Sequence, residues 1–159
     1  MKKTVLFLMM VFALSVSVPS FAAEKPTESD MKILLEKMKA DKKLLVAANM
    51  KLSDAEAGKF WPVYDAYQVE LGKLNKRVVA LIEAYAKDYN NNSLTDEKAK
   101  KMVSEMIAID EAEAAMKKSF VPKLNKVLPA VKVARYLQIE NKIRAAVKYE
   151  LASAVPLVE

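Results

Sequence analysis

Leu52-Ser53-Asp54-Ala55-Glu56-Ala57-Gly58-Lys59-Phe60-Trp61-Pro62-Val63-Tyr64 is the stretch that decides the fold. Ser53 followed three residues later by Glu56 is a capping box: the hydroxyl and the carboxylate each satisfy a backbone N–H that a helix start leaves unpaired. Leu52 is placed to staple onto Ala57. From there Ala57, Phe60, Trp61, Tyr64, Gln68, Leu71, Leu74, Val78, Leu81, Ile82, Tyr85 and Tyr89 recur at helical spacing along one face, which predicts a long amphipathic helix.

On its C-terminal side, Asn90-Asn91-Asn92-Ser93 reads as a turn, and a further helix opens at Thr95 with Asp96 and Glu97 in its first turn, where acids suit the dipole. Its stripe is Ala99, Met102, Val103, Met106, Ile109, Met116, Phe120, Leu124 and Val127. Leu52-Ser53-Asp54 and Leu94-Thr95-Asp96 are thus two similar helix caps rather than a repeat. Leu128-Pro129 marks the next break, because a proline disfavours helix in the residue before it. A last helix carries Val133, Leu137, Ile143, Val147 and Leu151, widened by Tyr136 and Ile139. Before Leu52, a first helix starts near Ser29 with Met31, Leu34, Leu35, Met38, Leu45 and Ala48 on one side. The expected fold is therefore all-α, with four main helices over about 30–49, 54–89, 96–127 and 130–152. The only glycines are Gly58 and Gly72, and no stretch alternates like a strand.

Helices over 54–89 and 96–127 would be about 54 and 48 Å long at ~1.5 Å per residue. A short polar turn joins them into an antiparallel hairpin too elongated to make a compact bundle alone. Its apolar seam has to be covered by the first and last helices or by a second copy, so a homodimer is expected. Pro62 and Pro122 lie at equal distances from Asn92, hence at nearly one level of the hairpin. Each removes a backbone hydrogen bond and clashes with the preceding turn. They either bend the hairpin as a unit or end their helices and give five or six shorter ones.

Lys2 and Lys3, the apolar run from Val5 to Leu14 and Ser20-Phe21-Ala22 follow the order of a cleavable export signal. The run is too short to cross a bilayer. The expectation is cleavage after Ala22, a periplasmic location, a single domain over 23–159 and no stable membrane span in what remains. Two of the 26 cations and none of the 20 anions fall in the leader, so the net charge drops from +6 to +4. That gives no case for a nucleic-acid partner. The chain has neither cysteine nor histidine, which rules out disulfides and lipoprotein acylation. It also makes transition-metal sites and hydrolase triads poor expectations. The acids Glu105, Asp110, Glu111 and Glu113 lack the loop and glycine of an oxygen-ligand calcium site. The reading is of a protein that binds without catalysis, and no cofactor is expected.

The export signal, the cysteine-free helices, the start at Leu52-Ser53-Asp54-Ala55-Glu56 and the second start at Leu128-Pro129-Ala130-Val131-Lys132, followed by Tyr136-Leu137-Gln138, resemble the Spy/CpxP family. Those periplasmic proteins carry two Leu-Thr-x-x-Gln helix starts. The resemblance spans roughly Met50 to Ala146. Ser53 and Glu56 stand for the first threonine and glutamine, and Pro129 and Lys132 for the second pair. It implies a curved antiparallel helical dimer that holds unfolding envelope proteins without ATP, or an adaptor of the stress response that binds a membrane sensor kinase.

A holding surface needs apolar patches and cations. Flexible methionines and lysine stems suit promiscuous contact, although Met102 and Met106 also fit ordinary core filling. The aromatic candidates are Phe60, Trp61, Tyr64 and Tyr67. Phe60, Trp61 and Tyr64 share a face, and Tyr67 points partly elsewhere, so they serve as a core anchor, a dimer contact or a client patch. Lys73, Lys76, Arg77, Lys132, Arg135 and Lys142, with Arg144, form either a basic binding surface or a solvated face. Ser53, Glu56, Pro62, Pro122 and Pro129 carry structural roles.

Overall fold

A computed structural model describes residues 41–158. The expected export leader with its cleavage after Ala22, the expected helix start near Ser29, Met31 and Met38 lie outside the described residues. The chain divides between Lys51 and Leu52 into two units. Helix α1 covers residues 41–50 of the first. The second holds α2 (Asp54–Asn90), α3 (Asp96–Asn125) and α4 (Ala130–Ala154). Every regular element among the described residues is a helix, so the fold is all-α.

Each boundary has a local cause. Ser53 caps α2: its hydroxyl accepts from the Glu56 N–H, and its own N–H donates to Glu56 Oε2 at 2.8 Å, closing the capping box. Thr95 caps α3 by accepting from the Lys98 N–H. At the far end of α2, Asn92 takes a left-handed backbone with φ of 49°, which asparagine tolerates better than most residues. The Ser93 N–H then reaches the Asp88 carbonyl at 2.9 Å and the Asn92 N–H the Tyr89 carbonyl at 3.2 Å. This is a Schellman closure. Pro129 occupies the cap position of α4 and contributes no side-chain hydrogen bond there.

Neither internal proline ends its helix: α2 continues through Pro62 and α3 through Pro122. Both prolines are exposed, as are Gly58 and Lys118, whose carbonyls lose their helical partner. Water can serve those carbonyls, which limits the cost of a mid-helix proline. The expectation of five or six shorter helices is therefore set aside.

Pairing of Tyr67 with Phe120, Arg77 with Glu105 and Asp88 with Lys98 makes α2 and α3 antiparallel. It also sets Pro62 and Pro122 within about one turn of the same level. Contacts from Lys132 to Glu56, Tyr136 to Phe60 and Glu140 to Gln68 make α4 parallel to α2. The packing is uneven. α2 and α3 approach backbone to backbone, whereas no Cα of α2 comes within 8 Å of one in α4. Long side chains fill that gap. The core consists of Phe60, Tyr64, Tyr67, Leu71, Leu74 and Tyr85 from α2, Ile109, Met116, Phe120 and Leu124 from α3, and Leu128, Val133 and Tyr136.

Candidate binding surface and the polar layer beneath it

At about 100° per residue, Phe60, Tyr64 and Tyr67 fall on a single stripe of α2 and Trp61 at its edge. All three stripe residues are buried, while Trp61 is half-buried. Tyr136 of α4 is the hub. Its ring meets Phe60 at 5.1 Å, Tyr67 at 5.6 Å and Tyr64 at 6.1 Å, all edge-to-face, and Phe120 closes on Tyr67 at 5.2 Å. That arrangement suits the ring quadrupoles. Tyr67 points into the core, which corrects its expected separate face, and of the three alternatives Phe60, Tyr64 and Tyr67 fit the core anchor, an internal wall in this chain rather than a patch open to a client. Trp61, stacked edge-on against Phe60 and Tyr64, is the accessible member of the four.

Beyond the rings lies a polar layer, of which the expected stripes included only Gln68. Gln68 donates through Nε2 to Glu140 Oε1 at 2.9 Å and, more loosely, to the Tyr136 hydroxyl at 3.4 Å. Burial, reinforced by the Glu140 charge, pushes the hydroxyls of Tyr64, Tyr67 and Tyr136 well above the ordinary tyrosine range, so they stay neutral. Further along, the buried Glu113 accepts from Lys117 at 2.7 Å and from Arg144 Nε at 2.9 Å, while Arg144 also donates to Asn75 Oδ1 at 2.6 Å. Burial works to raise the Glu113 carboxyl, but the Lys117 hydrogen bond and the Arg144 charge outweigh it and hold it below its usual range. Among the described residues no buried side-chain polar atom lacks a partner.

Two of the other acids considered for a cation, Glu105 and Asp110, are also occupied by the chain's own cations, and Glu111 is exposed. Glu105 takes Arg77 through two hydrogen bonds of 2.9 and 3.1 Å, and Asp110 takes Lys148 at 2.9 Å. Among the described residues no group of three or more potential ligands is arranged to hold a metal ion.

The cation candidates do not converge. Lys73 pairs with Glu70 of its own helix and Arg77 with Glu105, whereas Lys132 reaches Glu56. Glu56 and Arg77 are 21 positions apart on α2, about 31 Å along the axis. Lys76, Arg135 and Lys142 are exposed. Of the two alternatives, the arrangement fits the solvated face rather than a single basic surface: the cations are separate ion pairs and exposed side chains.

What the surface does offer is apolar. Val103, Met106 and Ile107 on α3 are 46%, 52% and 50% exposed. Their i, i+3, i+4 spacing makes them neighbours. Val103 and Met106 belong to the stripe expected to be covered. The reason they are open is angular: at about 100° per residue, Met106, Val103 and Ile107 lie roughly 60°, 120° and 160° round α3 from the buried Ile109. Val147 and Tyr149 of α4 are exposed as well, and Lys100 and Lys101 stand exposed just before the strip.

No protein-family model, curated protein or solved structure matches this chain. No helix among the described residues is long and apolar enough to cross a membrane. What the chain offers is an exposed apolar row on α3, bordered by Lys100, over a core whose described polar groups are already satisfied.

Proposed function

We propose that this protein is an ATP-independent, chaperone-like binding protein of the bacterial periplasm that holds partly unfolded envelope proteins. The observation that carries the reading is the row Val103-Met106-Ile107, left half-exposed on α3 beside Lys100, with Lys101 exposed next to it in sequence. Apolar side chains capture exposed chain segments, a flexible methionine adapts to different ones, and lysines attract acidic stretches without fixing a geometry. Trp61 is a second, smaller contact. The expected membership of the Spy/CpxP family, with a bend at the paired prolines and a homodimer, is part of the same proposal. So is the absence of catalysis.

The test is suppression of aggregation of several unrelated unfolding clients at substoichiometric to equimolar protein. Val103→Asp with Ile107→Asp should weaken protection several-fold while helicity is kept. Protection of no client would sink the reading. Tight binding to one membrane sensor alone would replace it with the adaptor role.

A further inference from the structure

We propose that Met106 is the oxidant-sensitive residue of this surface, and that its conversion to the sulfoxide switches off apolar capture; the second half rests on the binding reading above. The described methionines are sorted sharply by environment. Met50 and Met116 are buried and Met102 is half-buried, whereas Met106 is 52% exposed at one edge of the row that it forms with Val103 and Ile107. A thioether reacts only when an oxidant can reach the sulfur lone pair, so access ranks these four.

The oxidant class is the two-electron oxygen donors, with hypochlorous acid as the simplest. The Met106 Sδ gives up two electrons and gains an S–O bond. The O–Cl bond breaks, chlorine is reduced to chloride, and a proton is released to solvent. The product is a polar, chiral group in place of a flexible apolar one. Its position matters because Met106 is the i+3 neighbour of Val103, which is also the i+4 neighbour of Ile107, so one added oxygen puts a polar group against an apolar pair and shortens the row. The core is untouched, since Met106 makes no contribution to the buried set. The fold survives the change and only the surface alters.

The experiment exposes the full chain to graded hypochlorous acid, follows each methionine by peptide mass spectrometry, and measures capture of an unfolded, methionine-free client. Met106 should oxidise at least several-fold faster than Met116 and Met50. Treated wild type should then capture several-fold less client at unchanged helicity. Met106→Leu, apolar but inert, should capture like untreated wild type before and after oxidant, and Met106→Gln should resemble the oxidised chain without any treatment. Equal oxidation of Met106 and Met116, or treated wild type that captures as well as treated Met106→Leu, overturns the proposal. A chain that captures nothing even before oxidant sinks the binding reading and the switch together, whereas loss of the oxidant response alone sinks only the switch.

Discussion

Replacing Arg144 and Glu113 separately and together tests the polar layer most directly. The Glu113 side chain is 5% exposed and that of Arg144 14%. Removing one partner of a buried pair typically costs roughly 3–5 kcal/mol, because the other charge is left uncompensated. Here the cost is smaller. Arg144→Met leaves Glu113 with Lys117 at 2.7 Å, and Glu113→Leu leaves Arg144 with Asn75 at 2.6 Å. About 2 kcal/mol for each single change is expected. The double change removes both charges and fills the site with carbon, so it should fall within about 1 kcal/mol of wild type. The coupling energy is then at least about 3 kcal/mol, at the upper end for residues in direct contact. Urea unfolding followed by circular dichroism at constant m-value measures all four corners of the cycle. Each single change should lower Tm by about 7 °C for a chain of this size. A double variant that loses the sum of the two single effects would show that the pair contributes as two independent surface charges, and the burial argument would fail.

Three further outcomes are expected. Tyr136→Ala removes the hub of the ring cluster and should cost about 4 kcal/mol, while Tyr136→Phe, which loses only the 3.4 Å bond from Gln68, should cost about 1 kcal/mol or less; similar losses for both in urea titration would contradict the hub role. Glu56 is held at about 2 by the Lys132 hydrogen bond and the Ser53 N–H, below its usual 4.5. Because the folded carboxyl is the stronger acid, its contribution is complete above about pH 4.5 and is lost as pH falls through 2. The melting temperature should therefore drop across that window and drop less in Glu56→Gln, and equal slopes for the two proteins would refute the linkage. Gly72 lies inside α2, and a methyl group at its Cα would meet nothing within 4 Å; Gly72→Ala should stabilise the helix by about 0.5–1 kcal/mol, and a lower Tm would show that the site needs its glycine.

Much of the fold is legible in the sequence because its signals are local. The Ser53–Glu56 box, the Thr95 cap, the asparagine turn and Pro129 each act within four residues, and each falls where expected. Three features are harder. Comparing neighbours in sequence sends Tyr67 to a separate face, although the seven-residue step from Phe60 returns to the same stripe. Glu113 and Glu140 are charges whose burial depends on Arg144 and Gln68, far away in sequence. Their signal is present as an interruption: Glu113 sits between Ile109 and Met116, and Glu140 follows Val133 and Tyr136, on the faces that should be purely apolar. Finally, an apolar stripe shows which side of a helix seeks cover but not how far the cover extends, so periodicity alone places Val103 and Met106 inside.

The contact between α4 and α2, made by side chains alone, has a mechanical consequence. A helix seated on greasy rings alone would slide along them at little cost. Residues 140 and 144 occupy the same face one turn apart, an acid and then a base. Shift α4 by a turn in one direction and Glu140 arrives opposite Glu113, two carboxylates sharing a dry site. Shift it the other way and Arg144 is carried off Glu113 into the ring of tyrosines around Gln68, a cation with its acid left behind. Either displacement strands charge in a low-dielectric interior. The polar layer is thus a ratchet stop: it adds little to how strongly α4 is held, and it specifies the one axial position in which it is held at all.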